Sequence, residues 1–224
     1  MAAQTYSVSA WIKLASTGTA RAIVSYGSGS GLRGWELGST GGNLFQWRTA
    51  AVGAVSGTTA MTTGVWYHVA STCVANAALL NVKVYFNGAE EGSSSGVTAT
   101  AQNSTDDIIV ANAYPGDAAG LGFWNGDIAD VAYWTAQLDV NEILALAGGV
   151  RPHRIQFDAL KFFAPIGLDS PEPEYTGLGI SGTLSGSPTL SDGPPIVQMT
   201  PKRRYFTTSG AAVSHKSLSL SGVG

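Results

Sequence analysis

One stretch of this chain constrains its fold more than any other. Residues 122–147 read Gly-Phe-Trp-Asn-Gly-Asp-Ile-Ala-Asp-Val-Ala-Tyr-Trp-Thr-Ala-Gln-Leu-Asp-Val-Asn-Glu-Ile-Leu-Ala-Leu-Ala. Alternation up to Trp134 predicts a strand, with Ile128, Asp130, Ala132 and Trp134 on one face and Ala129, Val131 and Tyr133 on the other. A short link follows, then a helix. Asp139 stands at its N-cap with Glu142 three residues on, which is the spacing of a capping box. Val140, Ile143, Leu144 and Ala147 supply an apolar stripe, and Gly148-Gly149 a stop.

The remainder of the chain is strand-like. Residues 6–14 alternate from the start, and residues 21–26 form a second strand. Residues 34–37 and 44–48 flank a Gly-rich turn and read as a hairpin. Residues 65–74 and 81–88 are longer strands, the second closed by the turn pair Asn87-Gly88. Strands are expected at 107–111 and 126–134, with a closing strand over 154–164 ended by Pro165. Many short strands at regular spacing imply a sandwich. After Pro165 the composition turns to Pro, Gly, Ser and Thr. Two domains are therefore expected: a sandwich over 1–164 and an extended arm over 165–224.

Composition limits the chemistry. Of 224 residues only 12% are charged, and 29 are glycine, against roughly 25% charged in an average domain. Residues 1–150 carry five bases and ten acids, whereas residues 151–224 carry seven bases and five acids. An acidic body with a basic tail suggests docking on a neighbouring copy. Lys202-Arg203-Arg204 is too short a cluster for nucleic acid, and nothing repeats it. The single cysteine, Cys73, excludes an internal disulfide and is expected as a buried, inert thiol. No charged-then-apolar leader opens the chain, and no apolar run reaches membrane-spanning length. Assembly in a bacterial-type cytoplasm is the expectation.

Three pieces carry a family likeness. They are Tyr6-Ser-Val-Ser-Ala-Trp-Ile-Lys; Val65-Trp-Tyr-His-Val-Ala followed by Val82-Lys-Val-Tyr-Phe-Asn-Gly; and Phe123-Trp-Asn-Gly-Asp-Ile-Ala-Asp-Val with its capped helix. In this order they resemble the concanavalin A-like, laminin-G-like jelly-roll domains over roughly residues 5–150. The resemblance implies an all-β sandwich of two antiparallel sheets with one short helix near 139–147. The body is short of acids where many members bind calcium. A jelly roll followed by Pro165-Ile-Gly and Asp192-Gly-Pro-Pro also resembles virion proteins of tailed phages.

The residues bear on four chemistries. Retaining glycosidases need two carboxyls about 5 Å apart. Asp127 and Asp130 lie three apart on a strand and are expected on opposite faces. Glu36 stands alone, and the pairs Glu90-Glu91 and Asp106-Asp107 diverge in turns. His68, between Tyr67 and Val69, reads as a core or sheet-face histidine. An enzyme is not expected. Calcium would draw on Asp117, Asn125 and Asp127, although turn-forming Asn and Asp beside Gly explain those residues as well. Glycan binding would use Tyr114, Trp124, Asn125 and Asp127 around a Gly-rich loop that Phe123 also borders, with Trp35 and Trp47 at another. Trp11, Trp66 and Trp134 are expected in the core.

Structural assembly needs no active site. A capsid decoration protein would bind capsid subunits through its sandwich and reach neighbouring copies through the arm. Ile196, Val197, Lys202, Arg203, Arg204, Tyr205 and Phe206 are the expected arm contacts. The virion-protein reading leads, and a carbohydrate-binding module touching host glycans is the alternative. No cofactor, nucleic acid or membrane is expected.

Overall fold

The computed structural model describes residues 4–27, 33–49, 53–98, 107–113, 121–166, 176, 189 and 191–196. Its elements run β1 (Tyr6–Leu14), β2 (Arg21–Gly27), β3 (Arg33–Ser39), β4 (Leu44–Thr49), β5 (Gly53–Ala60), β6 (Trp66–Asn76), β7 (Leu79–Phe86), β8 (Ala89–Thr98), β9 (Asp107–Val110), β10 (Gly126–Trp134), α1 (Val140–Ala147) and β11 (Leu160–Ala164). One sheet has the order β11-β10-β1-β6-β7-β8 and the other β5-β4-β3-β2-β9. Every pairing between these strands is antiparallel. The expected sandwich of two antiparallel sheets with one short helix is the observed architecture.

Alternation along β1 explains its central place. Tyr6, Val8, Ala10, Ile12 and Leu14 enter the main core between the sheets, where they meet Trp35, Leu37, Phe45, Trp47, Val82 and Val84. Tyr6, Trp35, Tyr26 and Tyr133 form a run of stacked or tilted rings, with centroids 5.6 to 6.4 Å apart. Trp35 and Trp47 are fully buried there, so they flank no open rim. Cys73 is buried in the same core, and burial pushes its thiol up, which keeps it protonated and inert. The β6–β7 pairing continues into β8 through Asn87 and Gly88, both at positive φ, as a tight hairpin turn requires.

A second apolar cluster lies on the outer face of the six-stranded sheet. Ala70, Tyr85, Ala132 and Trp134 meet Leu138, Ile143, Leu146, Leu160 and Phe163 there. The capping box forms in full: the Asp139 carboxylate accepts from the Asn141 and Glu142 N–H groups, and the Glu142 carboxylate accepts from the Asp139 N–H. The buried stripe differs from the expected one. Ile143 and Leu146 are buried, whereas Val140 and Leu144 are 56% and 57% exposed. The helix lies with its last turn against Gly88, where an added Cβ would meet Leu144 and Ala147.

The expected alternation of β10 is broken by a bulge. Ser9 pairs with Ala132 but Trp11 with Ala129, so three steps of β10 match two of β1. Asp130 is the extra residue and adopts φ 48°. The phase therefore reverses before it: Ile128 packs on the main core with Val131 and Tyr133, opposite Ala132 and Trp134. The expected grouping of Ile128 with Ala132 and Trp134 is thus corrected. So is the parity argument that set Asp127 and Asp130 on opposite faces, since the inserted residue cancels it.

Two strands, β5 and β8, escape sequence reading, and the closing strand is shorter than expected. Gln156 at φ 38° divides residues 152–159 into two 3-10 turns, Pro152–Arg154 and Phe157–Ala159, before β11 begins at Leu160.

Candidate functional site

A cleft opens where β1 ends and β10 begins. Its volume is about 520 Å3, and its walls are Lys13, Leu14, Ala15, Thr63, Gly64, Asn125, Gly126 and Asp127. Backbone geometry builds it. The Leu14 carbonyl accepts from the Gly64 N–H, and the Asn125 carbonyl from the Ala15 N–H. Gly126 has φ 148°, and a Cβ there would stand 2.0 Å from the Lys13 carbonyl oxygen. Only glycine lets the two strands approach this closely.

A row of three side chains crosses the sheet here, and two of them, Lys13 and Asp127, line the cleft. Lys13 pairs with Asp127 on one side and with Trp66 on the other. The Lys13 amine lies 2.6 Å from the Asp127 carboxylate and 5.1 Å from the centre of the Trp66 ring. Trp66 is half-buried rather than in the core, contrary to the expectation for it. Its indole N–H donates to the Asp192 carbonyl at 3.1 Å.

The loop before β10 is braced from below. Arg21 donates to the Phe123 carbonyl at 3.2 Å and to the Ser16 hydroxyl at 3.0 Å. The Asn125 amide donates to the same Ser16 oxygen at 2.8 Å. Trp124 and Phe123 take opposite roles. Trp124 is 7% exposed, packs in the main core, and donates its indole N–H to the Asp127 carbonyl. Phe123 is 71% exposed. The aromatic offered to solvent at this loop is therefore Phe123, not Trp124. Within a loop no alternation distinguishes the two, so the sequence carried no signal for the choice.

Of the expected glycan residues, the structure brings Asn125 and Asp127 to the cleft, places Trp124 behind it, and leaves Tyr114 outside the described residues. Of the expected arm contacts, Ile196 is half-buried, while Val197, Lys202, Arg203, Arg204, Tyr205 and Phe206 lie outside the described residues. Sequence reading passed over Lys13, Thr63 and Trp66 as site residues, and set Phe123 on the loop's border without choosing it over Trp124. The signal for Lys13 and Trp66 was available in the pairing of the first and central motifs.

Electrostatics argue against acid–base chemistry here. Asp127 faces Lys13, Asp130 lies 2.8 Å from Arg151, and Glu36 is paired with Arg48 at 2.5 Å. Glu91 is held by Thr58 and Thr59. Burial raises the Asp130 carboxyl to about 6 against the opposing pull of Arg151. Its side chain is nearly sealed. His68 is buried edge-on to Trp11 with centroids 5.4 Å apart, and burial lowers its imidazole to about 3. A neutral, sealed histidine is no general base for a ligand in the cleft. Among the described residues no group of three His, Cys, Asp or Glu side chains is placed to hold a metal. Asp117, one of the expected calcium ligands, lies outside the described residues. Asp127 already has a lysine amine as its counter-ion, a poor setting for calcium.

The family model described as the concanavalin A-like lectin/glucanases superfamily matches residues 1–144. The chain belongs to that superfamily. No curated protein matches it. Among solved structures, it is similar to a Bacteroides ovatus protein named as a candidate carbohydrate binding protein, at 18% identity and TM-score 0.63, covering 82% of this chain and 52% of the other. This chain thus spans about half the length of that relative. It is also similar to a heptameric SAP-like pentraxin from Limulus polyphemus, at 16% identity and TM-score 0.51, covering 65% and 70%. A third similar structure is the IT-sialidase CBM40 of Ruminococcus gnavus bound to alpha2,3 sialyllactose, at 14% identity and TM-score 0.51, covering 66% and 84%. At these identities the likeness is one of fold.

Proposed function

We propose that this superfamily member is a non-catalytic carbohydrate-binding domain, and that saccharide binds in the cleft between β1 and β10. The observation that carries the reading is the cleft itself. A charged pair, an amide and a hydroxyl (Lys13, Asp127, Asn125 and Thr63) line it, Trp66 stands beside Lys13, and Phe123, two residues before Asn125, is exposed. Saccharides need both kinds of contact: polar groups for their hydroxyls and an aromatic face for their C–H surfaces. The names of the Bacteroides and Ruminococcus structures support the reading. The test is a broad glycan array followed by titration. Binding that Asp127→Asn or Phe123→Ala reduces at least tenfold, with the circular dichroism spectrum unchanged, upholds the site. A blank array sinks it.

A second reading is a phage decoration protein that coats capsid subunits, assembled in the host cytoplasm. The favouring observation is compositional: a body with few charges and a basic arm, suited to burial against neighbours. The similar structures named above lend it no support. Copurification with assembled particles would establish it, and its absence from them would remove it.

A further inference from the structure

We propose that residues 191–196 form a strap that docks on Trp66 of the same molecule and uncovers that ring when it leaves. Trp66 has a single N–H to donate, and it is spent on the Asp192 carbonyl at 3.1 Å. Lys13 lies over the face of the ring. Gly193, Pro194 and Pro195 follow the bonded carbonyl. An aromatic N–H held to a carbonyl just ahead of prolines is a recurring way to bind an extended segment, because proline has already lost most of its freedom in φ. The segment fits that mode. Pro194 and Ile196 are half-buried, whereas Ser191, Asp192, Gly193 and Pro195 are exposed.

The docking is weak enough to reverse. The other described hydrogen bonds of the segment are local, from the Ser191 hydroxyl to the Asp192 carbonyl and from the Ile196 N–H to the Pro194 carbonyl. One neutral hydrogen bond exchanged with water holds a strap only marginally. Trp66 stands beside Lys13, which lines the cleft, so undocking would free the indole N–H next to a bound saccharide. That consequence rests on the carbohydrate reading of the cleft; the docking itself does not.

A fluorophore tests the docking directly. Cys73 is buried, and a Cβ at Gly193 would meet nothing within 4 Å, so Gly193→Cys can be labelled selectively with bimane, which tryptophan quenches on contact. In the full chain the label should be dim, and in the Trp66→Phe background severalfold brighter. Equal brightness in the two overturns the strap. Quenching should be unchanged on dilution; loss of quenching on dilution means docking between copies and overturns the intramolecular strap. An excess of a synthetic peptide of residues 189–198 should brighten the label severalfold by taking its place, and a label indifferent to the peptide overturns reversible docking. A blank glycan array would leave these readouts untouched, so the two proposals fail separately.

Discussion

Lys13 and Asp127 face each other across the β1–β10 pairing, with 2.6 Å between amine and carboxylate. Both side chains are partly open to solvent, and pairs of that kind contribute about 0–1 kcal/mol. Lys13→Met should therefore lower stability in urea by less than about 1 kcal/mol. The same change removes the cation from both the Asp127 carboxylate and the Trp66 ring. Saccharide affinity should fall at least tenfold by isothermal titration. A large stability loss with unchanged binding would show that the pair serves the fold alone.

Gly126 sets the approach of β1 and β10 that makes the cleft. Gly126→Ala must move a Cβ off the Lys13 carbonyl, and φ 148° admits few side chains. The variant should lose roughly 2 kcal/mol or more of unfolding free energy. Gly41→Ala makes a good control, because a Cβ there meets nothing. Equal urea midpoints for the two variants would contradict the close approach.

Part of this site was legible from sequence, for identifiable reasons. The capping box at Asp139 and Glu142 was readable because both halves of it are local. Strands β1, β6, β7 and β10 were readable because each buries one full face. Strands β5 and β8 were not, because each offers few large apolar residues; Val55 and Val97 are the only ones of theirs in the main core. They are edge strands of different sheets, held against one another rather than filled by apolar side chains. The bulge at Asp130 was silent for a different reason. Asp tolerates the left-handed region almost as Asn does, so no glycine marked the inserted residue. That one insertion changed which acids share a face.

The contact between those two edges yields a further expectation. Gly57 and Gly92 bring β5 and β8 close, and Glu91 crosses to accept from the Thr58 N–H, the Thr59 N–H and the Thr59 hydroxyl. Burial alone would raise the Glu91 carboxyl, but these donors together hold it below its ordinary value. Its contribution is therefore present above the unfolded carboxyl value and lost as pH falls through the lower folded one. Glu91→Ala should destabilise by about 1–3 kcal/mol at neutral pH. It should also speed amide hydrogen exchange in β5 before the rest of its sheet. Uniform exchange across that sheet would rule out a local clip.

Asp130 and His68 act on stability in opposite directions over the same range of pH. Asp130 titrates near 6 when folded, above its unfolded value, so it keeps a proton that the unfolded chain has released. Its contribution is complete below the unfolded value and disappears as pH rises through about 6. His68 titrates near 3 when folded, below its unfolded value, so it refuses a proton that the unfolded chain accepts. Its contribution is present above the unfolded histidine value and is lost as pH falls toward about 3. Asp130→Asn keeps a residue suited to φ 48° while removing the titration. That variant should lose stability on acidification more steeply than the parent chain. His68→Gln should lose it less steeply, whatever its stability at neutral pH. Urea midpoints between about pH 7 and about pH 4 check both slopes, and a double variant whose profile departs from the sum of the two single changes would show that the two groups are coupled.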